Sequence, residues 1–302
     1  MADVKKIATR ESYGNALKEL APKYPNLVVL DADLAAATKT GIFKKAYPDR
    51  FFDCGIAEAN MMGVAAGLAA AGMTVFASSF AMFAAGRAFE VVRNSIGYPG
   101  LPVKIGATHQ CCEDIALMRT IPGMTVIVPS DDVEAKAAVA AAIEHDGPVY
   151  LRFGRLAVPV FNDPETYHFE IGKGITLRDG KDVTIVATGL MVNEAVVAAE
   201  QLAAEGIDAR VINIHTIKPL DEELIVKAAA ETGKIVTVEE HSVIGGLGSA
   251  VADVCAEKCP CLVKKIGVND EFGQSGPAVD LLKLYGLSSE NIVKTVKEVV
   301  GK

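Results

Sequence analysis

Basic residues are the minority among the charged residues of this chain. It contains 30 Lys and Arg against 38 Asp and Glu, which gives a formal net charge of −8. Proteins that bind nucleic acids or anionic membranes through their overall charge are basic. We therefore expect neither kind of partner, and an anionic small substrate would need a local cluster of basic side chains.

The sequence also lacks the marks of export and of zinc binding. The first residues, MADVKKIATRESYGNAL, form neither a signal peptide nor an Arg-rich leader. The cysteines at 54, 111, 112, 255, 259 and 261 include no Cys-x2-Cys pair with a matching second pair, and the cluster at 259–261 has no histidine nearby. We therefore expect a cytoplasmic protein with free thiols and no metal site of its own.

Several common catalytic motifs are missing. Neither the phosphate-binding G-x4-G-K-[ST] nor the nucleophile motif G-x-S-x-G is present. The GGLG at 245–248 does not complete G-x-G-x-x-G, so close backbone packing explains it better than a dinucleotide site.

A long uncharged run lies between Glu58 and Arg87. It is long enough to span a bilayer, but it consists mainly of Ala and Gly, contains Asn60, and is divided by Ala71-Gly72. We predict no membrane segment. The run is better explained by burial in a soluble α/β protein or at a subunit interface.

Glu58 stands at the head of this run, in the first turn of a predicted helix. A first-turn acid needs no function, since it interacts favourably with the helix dipole. The alternative is a carboxyl group that performs chemistry, because the helix behind it offers no countercharge. Phe80 and Phe83, three residues apart, would share a face if that segment is helical. They are either ordinary core residues or a flat slot for an aromatic ring.

The order of predicted elements indicates the fold class. Helical patterns alternate with short apolar strands, which is typical of parallel α/β sheets. We predict an α/β protein with two parallel or mostly parallel sheet domains, at 1–160 and 170–302, joined by a linker within 155–170. Near the candidate site we predict a helix over 57–71, a strand over 74–77 and a helix over 83–96.

Polar residues follow three of the predicted strands, at the edge where open α/β sheets bind ligands. The loop after the first strand carries Asp33, Thr38 and Lys39, which either form a polar loop or bind phosphate or sugar oxygens. His109, in GATHQ, lies just after the strand predicted over 103–106. A lone histidine is more often structural, but the notable alternative for this one is a proton carrier.

Two arginines leave the last strand of the first domain. Arg152 and Arg155, in YLRFGR, are either solvated charges or a phosphate-binding fork.

Six segments, taken together, resemble a known family. They are DADL at 31–34, GIAEANMMGVAAGLA at 55–69, SSFAMFAAG at 78–86, THQCCEDIALMRTIPGMTVIVPSD at 108–131, YLRFGR at 150–155 and EFGQSG at 271–276. In this order they resemble the C-terminal half of a transketolase, as found where the enzyme is split into two chains. The resemblance covers nearly the whole chain. It implies a pyrimidine-binding domain followed by a transketolase C-terminal-like domain.

The resemblance also implies a cofactor, a partner and a reaction. Transketolases use thiamine diphosphate to move a two-carbon ketol unit between sugar phosphates in carbohydrate metabolism, as in the pentose phosphate pathway. The diphosphate and its Mg²⁺ (or Ca²⁺) are held by an N-terminal domain with a GDG motif, which this sequence lacks. We therefore expect an N-terminal partner chain, an α2β2 heterotetramer and active sites at subunit interfaces.

The resemblance assigns four residues to the cofactor. Glu58 matches the glutamate that hydrogen-bonds the aminopyrimidine ring nitrogen, and proton sharing there helps to generate the reactive carbon nucleophile. Phe80 and Phe83 match the aromatic residues around the pyrimidine. Asp33 matches the aspartate of the family's ADL motif.

The resemblance also assigns substrate-binding roles to further residues. Arg155 matches the arginine that binds the substrate phosphate, with Arg152 as the second choice. Thr38 or Lys39 takes the place of a phosphate-contacting serine. His109 matches one of two histidines in the donor-sugar site.

One departure from the family concerns that histidine. The family has a pattern similar to ATHxxxxxGxDGxTHQ, whereas this chain reads GATHQ once, so about a dozen residues are missing. Either the deletion is real or a loop was omitted from the sequence.

Two alternative functions stay open. One is the beta-type subunit of another thiamine enzyme, such as a 2-oxoacid dehydrogenase or a deoxyxylulose-phosphate synthase. The other is a non-catalytic structural or regulatory paralogue.

Overall fold

The structure, a computed structural model, describes residues 5–109 and 111–301. These residues divide into two compact units, the first ending at Ile171 and the second beginning at Gly172. Each unit is built on a mostly parallel sheet with helices between the strands. This confirms the predicted α/β class.

The first unit contains a parallel sheet in which six strands run in the order β6-β7-β5-β4-β2-β3. β1 and β8 form a separate antiparallel pair. β2, β5 and β7 are buried along their whole length, as expected for strands covered on both faces. The strands are β1 (Lys6–Ala8), β2 (Leu27–Asp31), β3 (Phe51–Asp53), β4 (Thr74–Phe80), β5 (Val103–Thr108), β6 (Thr125–Ile127), β7 (Val149–Phe153) and β8 (Ala157–Pro159).

Seven α-helices of the described residues accompany this sheet. The last of them begins as predicted, because the side chain of Asp131 accepts a hydrogen bond from the backbone N–H of Glu134. The helices are α1 (Thr9–Leu20), α2 (Ala35–Thr38), α3 (Gly41–Ala46), α4 (Glu58–Ala70), α5 (Phe89–Val91), α6 (Asp114–Arg119) and α7 (Asp132–Glu144).

The uncharged run forms α4 and β4, as its division at Ala71-Gly72 predicted. One face of α4 is buried, with Met61 and Met62 in the core, and the opposite face leaves Gly63 and Gly67 exposed. Among the described residues no helix is both long and apolar enough to cross a membrane.

The segment after β4 differs from the predicted helix over 83–96. It forms two π-helical turns, Phe83–Arg87 and Val92–Gly97, on either side of the short α5. π-helical turns are rare and occur often at functional sites. β4 is also longer than predicted and reaches Phe80.

The predicted linker at 155–170 belongs to the first unit. β8 pairs with β1, the hydroxyl of Tyr167 donates a hydrogen bond to Glu134, and Phe169 packs against the core. The segment is therefore held in place by side-chain contacts.

The second unit has a sheet in the order β14-β13-β10-β11-β9, in which β9 is antiparallel to its neighbour and the other strands are parallel. Its strands are β9 (Ile175–Arg178), β10 (Val183–Ala187), β11 (Ala209–Asn213), β12 (Thr216–Lys218), β13 (Lys234–Ser242) and β14 (Leu262–Val268). Its helices are α8 (Met191–Ala204), α9 (Glu222–Thr232), α10 (Leu247–Lys258), α11 (Ala278–Leu284) and α12 (Ser289–Val300).

The GGLG segment serves the close packing that was predicted for it. The buried carboxylate of Glu239 accepts hydrogen bonds from the backbone N–H groups of Leu247 and Gly248 at the start of α10. A Cβ atom at Gly248 would lie 2.7 Å from the hydroxyl of Thr237. The glycines therefore allow the helix to begin against the strand.

Candidate active site

The carboxyl ends of β2, β4, β5 and β7 meet at one edge of the first unit's sheet. Asp33 follows β2, Phe80 ends β4, His109 follows β5 and Arg155 follows β7. Parallel α/β sheets bind their ligands at this edge. Residues that lie far apart in the sequence are thus brought to one place.

Glu58 is 1% exposed and has an ionic partner. The Nη1 atom of Arg87 lies 3.2 Å from its Oε2 atom, and the Arg87 side chain is 56% exposed. The helix behind Glu58 carries no countercharge, as expected, but a residue outside that helix supplies one. The helical segment after β4 turns back toward α4 and brings the first charged residue beyond the run to the carboxylate.

Phe80 and Phe83 stack on each other, with ring centroids 5.6 Å apart and planes inclined by 29°. They do not share a helical face, because Phe80 is the last residue of β4 and Phe83 is the first of a π-helical turn. The change from strand to helix produces the stack. Arg87 lies over the Phe83 ring at 5.1 Å, so the aromatic pair adjoins the Glu58–Arg87 ion pair.

His109 adjoins the other side of the aromatic pair. Its ring centroid lies 4.0 Å from that of Phe80, and its backbone has a left-handed φ of 68°. The ring nitrogens lie 2.9 Å from the hydroxyl of Thr108 and 3.4 Å from Nη1 of Arg10. Burial, together with the positive charges of Arg10 and Arg155, lowers the pKa of His109 to about 4. The imidazole is therefore neutral at pH 7. The neighbouring Gln110 of the THQ motif lies outside the described residues.

Arg10 is a site residue that the sequence did not reveal. It lies in the first turn of α1, and its Nη1 atom donates a hydrogen bond to the carbonyl of Ala37 at 2.8 Å. Burial and the charge of Arg155 lower its pKa. The only sequence signal was an arginine at the start of a helix, and its position beside His109 depends on contacts across about a hundred residues.

The loop after β2 holds Thr38 away from solvent. The hydroxyls of Thr38 and Thr40 donate to the buried carboxylate of Asp31 at 2.7 and 2.8 Å. Burial raises the pKa of Asp31, and these hydrogen bonds oppose the rise. The predicted substrate role of Thr38 stays a prediction, and its hydroxyl is engaged inside the protein in this structure. Lys39 is partly exposed and has a left-handed φ of 69°, so it stays a candidate.

Asp33 is exposed, and Asp53 fixes its backbone. The Oδ1 atom of Asp53 accepts hydrogen bonds from the N–H groups of Asp33 and Gly55, both at 3.1 Å. Asp53 thereby ties the loop after β2 to the loop that leads to Glu58. Its role was not evident from the sequence, because an aspartate in a loop has no distinctive pattern.

The two arginines of YLRFGR have different surroundings. Arg152 is 4% exposed, its Nε atom lies 3.4 Å from Oδ2 of Asp114, and it donates to the carbonyl of Cys111 at 3.2 Å. The Tyr150 hydroxyl donates to the same carboxylate at 2.7 Å. The second-choice assignment of Arg152 to the substrate stays a prediction, although its guanidinium is buried with partners inside the protein. Arg155 is exposed beyond the strand end.

The site as a whole is a row of contacts that changes in character along its length. It begins with a buried carboxylate and its arginine, continues with two stacked aromatic rings and a neutral imidazole, and ends with two guanidinium groups. Such a row suits a flat heterocycle at one end and an anionic group at the other. The part of the chain that the structure describes contains no group of three or more His, Cys, Asp or Glu side chains placed to hold a metal ion.

Comparison with known proteins gives two family matches. Residues 5–160 match the transketolase pyrimidine binding domain, and residues 172–292 match the transketolase C-terminal domain. A putative transketolase C-terminal section from Methanocaldococcus jannaschii is 51% identical, over 97% of this chain and 96% of that protein. One of the subunits of an apulose-4-phosphate transketolase from Phocaeicola vulgatus is 40% identical, over 98% of each chain.

A solved structure is similar as well. It is described as a split gene transketolase in an inactive beta4 tetramer. It is 55% identical, with a TM-score of 0.93 over 98% of this chain and 99% of that one.

Proposed function

This chain belongs to the transketolase family, and we propose that it is the C-terminal subunit of an enzyme that transfers a two-carbon ketol unit between sugar phosphates. The family depends on thiamine diphosphate. The observation that carries the proposal is the buried carboxylate of Glu58, which joins the Phe80–Phe83 stack through Arg87. A carboxylate beside aromatic rings suits an aminopyrimidine ring.

The residues present fit the pyrimidine half of the cofactor. Phe80 and Phe83 offer aromatic surface to a flat ring. Glu58 offers a carboxylate oxygen to a ring nitrogen in a site with little water, where such a hydrogen bond is strong. Asp33, on the loop that Asp53 holds near Glu58, would border the same ring. When bound, thiamine diphosphate supplies the carbon nucleophile and accommodates the negative charge of the transferred unit.

Glu58 would hold and share a proton at its Oε atoms. Arg87 offsets the charge of the carboxylate and fixes one oxygen, so the carboxyl group keeps one orientation. A positioned group of this kind contributes about 10²- to 10⁴-fold to the rate of a proton-transfer step.

Arg155 and Arg10 would bind the phosphate of a sugar substrate. A planar guanidinium presents several N–H donors that suit the oxygens of a phosphate. The neutral imidazole of His109 would accept a proton from a sugar hydroxyl, or donate one to it. Lys39 would add a further positive charge at the same edge.

We propose that an N-terminal partner chain holds the diphosphate and its Mg²⁺ or Ca²⁺, in an α2β2 assembly. Two observations support a partner. The related split gene transketolase is described as inactive when it is a tetramer of beta chains. In addition, the exposed face of α4 carries Gly63 and Gly67, where an added Cβ would meet no described atom within 4 Å apart from its chain neighbours and the nearby backbone of α4, so another helix could approach closely.

The donor and acceptor sugars are proposed to be phosphates of the pentose phosphate pathway.

The alignment with the M. jannaschii relative spans 309 positions, more than the 302 residues of this chain. The relative therefore has residues with no counterpart here, as expected if the loop after His109 is shortened. A shorter loop would make the donor end of the site more open.

The test uses the chain assembled with an N-terminal partner. We expect ketol transfer from a ketose phosphate, and a loss of about 10²-fold or more in kcat for Glu58→Gln. The control Glu19→Gln makes the same change at an exposed surface position and should keep full activity. An active Glu58→Gln complex would refute the proposed role.

The choice of donor separates the alternatives. Turnover with pyruvate but not with a ketose phosphate would identify a deoxyxylulose-phosphate synthase or a 2-oxoacid dehydrogenase subunit. An assembled complex that binds thiamine diphosphate but turns over neither donor would identify a non-catalytic paralogue.

A further inference from the structure

A polar pocket of about 230 Å³ lies in the second unit, between the edge strand β14 and α12. From α12 it is lined by Asn291, Lys294, Thr295 and Glu298. Residues three and four positions apart lie on the same face of a helix, so one polar face of α12 borders the pocket. Strand β14 contributes Lys264. The pocket is therefore bordered by polar side chains from two elements.

Thr295 is the buried residue of this face of α12. It is 7% exposed, and among the described residues no group forms a hydrogen bond with its hydroxyl. Buried polar side chains nearly always have a hydrogen-bond partner, from the protein or from ordered water. Because Thr295 lines the pocket, a ligand bound there would supply the partner.

Two ammonium groups also border the pocket. Neither Lys264 nor Lys294 forms an ion pair with any residue that the structure describes. Lys265 lines the pocket too, but its Nζ atom donates to the carbonyl of Val243 and to the hydroxyl of Ser249, both at 3.2 Å. Its ammonium is thus engaged within the protein, whereas those of Lys264 and Lys294 stay available to a ligand.

Glu298 is the acidic side chain among the lining residues. Two available ammonium groups against one carboxylate leave the pocket positive, in a chain whose formal net charge is −8. Asn269 adds the N–H donors of an amide. Ammonium, amide and hydroxyl donors around one space are groups that bind phosphate oxygens.

We propose that this pocket of the second unit binds a small anion that carries a phosphate group. Lys264 and Lys294 would offset its charge, while the Thr295 hydroxyl and the Asn269 amide would donate hydrogen bonds to its oxygens. A volume of about 230 Å³ suits phosphate or a short phosphate ester, because pockets for larger ligands measure about 300–1,000 Å³. All of these residues belong to the second unit, so binding here does not depend on the proposed ketol transfer.

Reductive methylation of the folded full chain tests the site, because a bound phosphate group slows the reaction of the lysines that contact it. Mass spectrometry of peptides gives the rate for each lysine, with inorganic phosphate or glycerol 3-phosphate added at a constant ionic strength set by sodium chloride. We expect Lys264 and Lys294 to react about threefold more slowly or less, with the same half-maximal concentration. Lys297, which is also on α12 and pairs with Glu205, should react at an unchanged rate. Lys39 reports any phosphate bound to the first unit in the same samples.

Two variants change this site in opposite directions. Thr295→Val removes the hydroxyl at nearly constant volume and should raise the half-maximal concentration about tenfold, the value of a charge-assisted hydrogen bond. Glu298→Gln removes the opposing carboxylate and should lower that concentration about fivefold. The control Glu200→Gln makes the same charge change at an exposed position of α8 and should have no effect. Glu298 is exposed as well, so its variant decides the test if Thr295→Val does not fold.

Two outcomes would overturn the proposal. One is unchanged methylation of Lys264 and Lys294 at every concentration of both phosphate compounds. The other is protection that is the same in the wild type, Thr295→Val and Glu298→Gln, because general screening of surface charge does not depend on a hydroxyl. Protection by inorganic phosphate alone would identify free phosphate as the ligand, and protection by glycerol 3-phosphate alone would identify a phosphate ester; either result supports the site. Circular dichroism of each variant shows whether it is folded.

Discussion

His109 has an environment that decides its protonation. Its ring lies on Phe80 and faces Arg10, while Arg155 adds a second positive charge nearby. Both burial and these charges oppose an imidazolium, and no carboxylate contacts the ring to favour one among the contacts of the described residues. A neutral imidazole at neutral pH has one ring nitrogen free to accept a proton, which is consistent with the proton-carrier role proposed for His109.

This environment predicts a pH dependence of stability. The pKa of His109 is about 4 in the folded protein, against 6.5 as the ordinary value. Between these values the unfolded chain binds more protons, so the free energy of unfolding falls as the pH falls from 6.5 toward 4. Urea unfolding at pH 7 and pH 5 should show a smaller loss for His109→Asn than for the wild type. Asparagine tolerates the left-handed backbone at this position. Equal losses in the two proteins would contradict the lowered pKa.

The Glu58 carboxyl group has two proposed roles, as the ionic partner of Arg87 and as the group that shares a proton with the cofactor, and substitution of Arg87 distinguishes them. Arg87→Gln leaves the Glu58 carboxyl group in place but removes its countercharge. We expect this variant of the assembled enzyme to keep more activity than Glu58→Gln, because the proton-sharing group survives. If Arg87→Gln is the more damaging change to kcat, the carboxylate serves mainly as a partner for the arginine.

At the scale of elements, β7 and the residues that follow it place two arginines in different surroundings. Arg152, within the strand, joins Asp114 at the start of α6, and Tyr150 binds the same carboxylate from two residues earlier. Arg155, beyond the strand end, is exposed. The strand thus fixes the start of α6, while Arg155, just beyond its end, is exposed for the proposed contact with substrate.

Matched substitutions test this division. Arg152→Met should lower the free energy of unfolding by roughly 3–5 kcal/mol, since it leaves the buried Asp114 without its cation. Arg155→Met should change stability by no more than about 0.5 kcal/mol. In the assembled enzyme Arg155→Met should instead raise KM for a sugar phosphate by roughly tenfold or more, the value of a charge-assisted hydrogen bond. Equal destabilisation by the two changes would contradict the assignment.

At the scale of the whole molecule, one face of α4 packs inside its own unit, and the opposite face is uncharged but exposed. Its buried face holds Met61 and Met62, whereas Gly63 and Gly67 are exposed, and a Cβ atom added to either would have open space around it among the described residues. A helix that is apolar on both faces is expected where a second subunit covers the outer face. Burial within the unit explains the apolar inner face of α4, and the proposed subunit contact would explain the outer face.

Gly67→Leu tests whether this face is a subunit interface. The isolated chain should be as stable as the wild type or more stable by about 0.5–1 kcal/mol, because glycine is a poor helix former. Association, measured by analytical ultracentrifugation alone and with the N-terminal partner, should weaken at least tenfold. Ala230→Leu, at an exposed position of α9, is the control and should assemble normally. Unchanged assembly of Gly67→Leu would exclude this face.

The sequence by itself determined the fold class, the division of the uncharged run into α4 and β4, and the family, because these depend on local periodicity and on the order of segments. It also selected Glu58, Phe80, Phe83 and His109 as a set. Only the tertiary structure placed Arg87 on Glu58, engaged Thr38 and Arg152 with buried carboxylates, and brought Arg10 beside His109. Those outcomes depend on which side chains become neighbours when distant segments pack, and on which buried charges then need a partner. Neither can be derived from the spacing of residues within one segment.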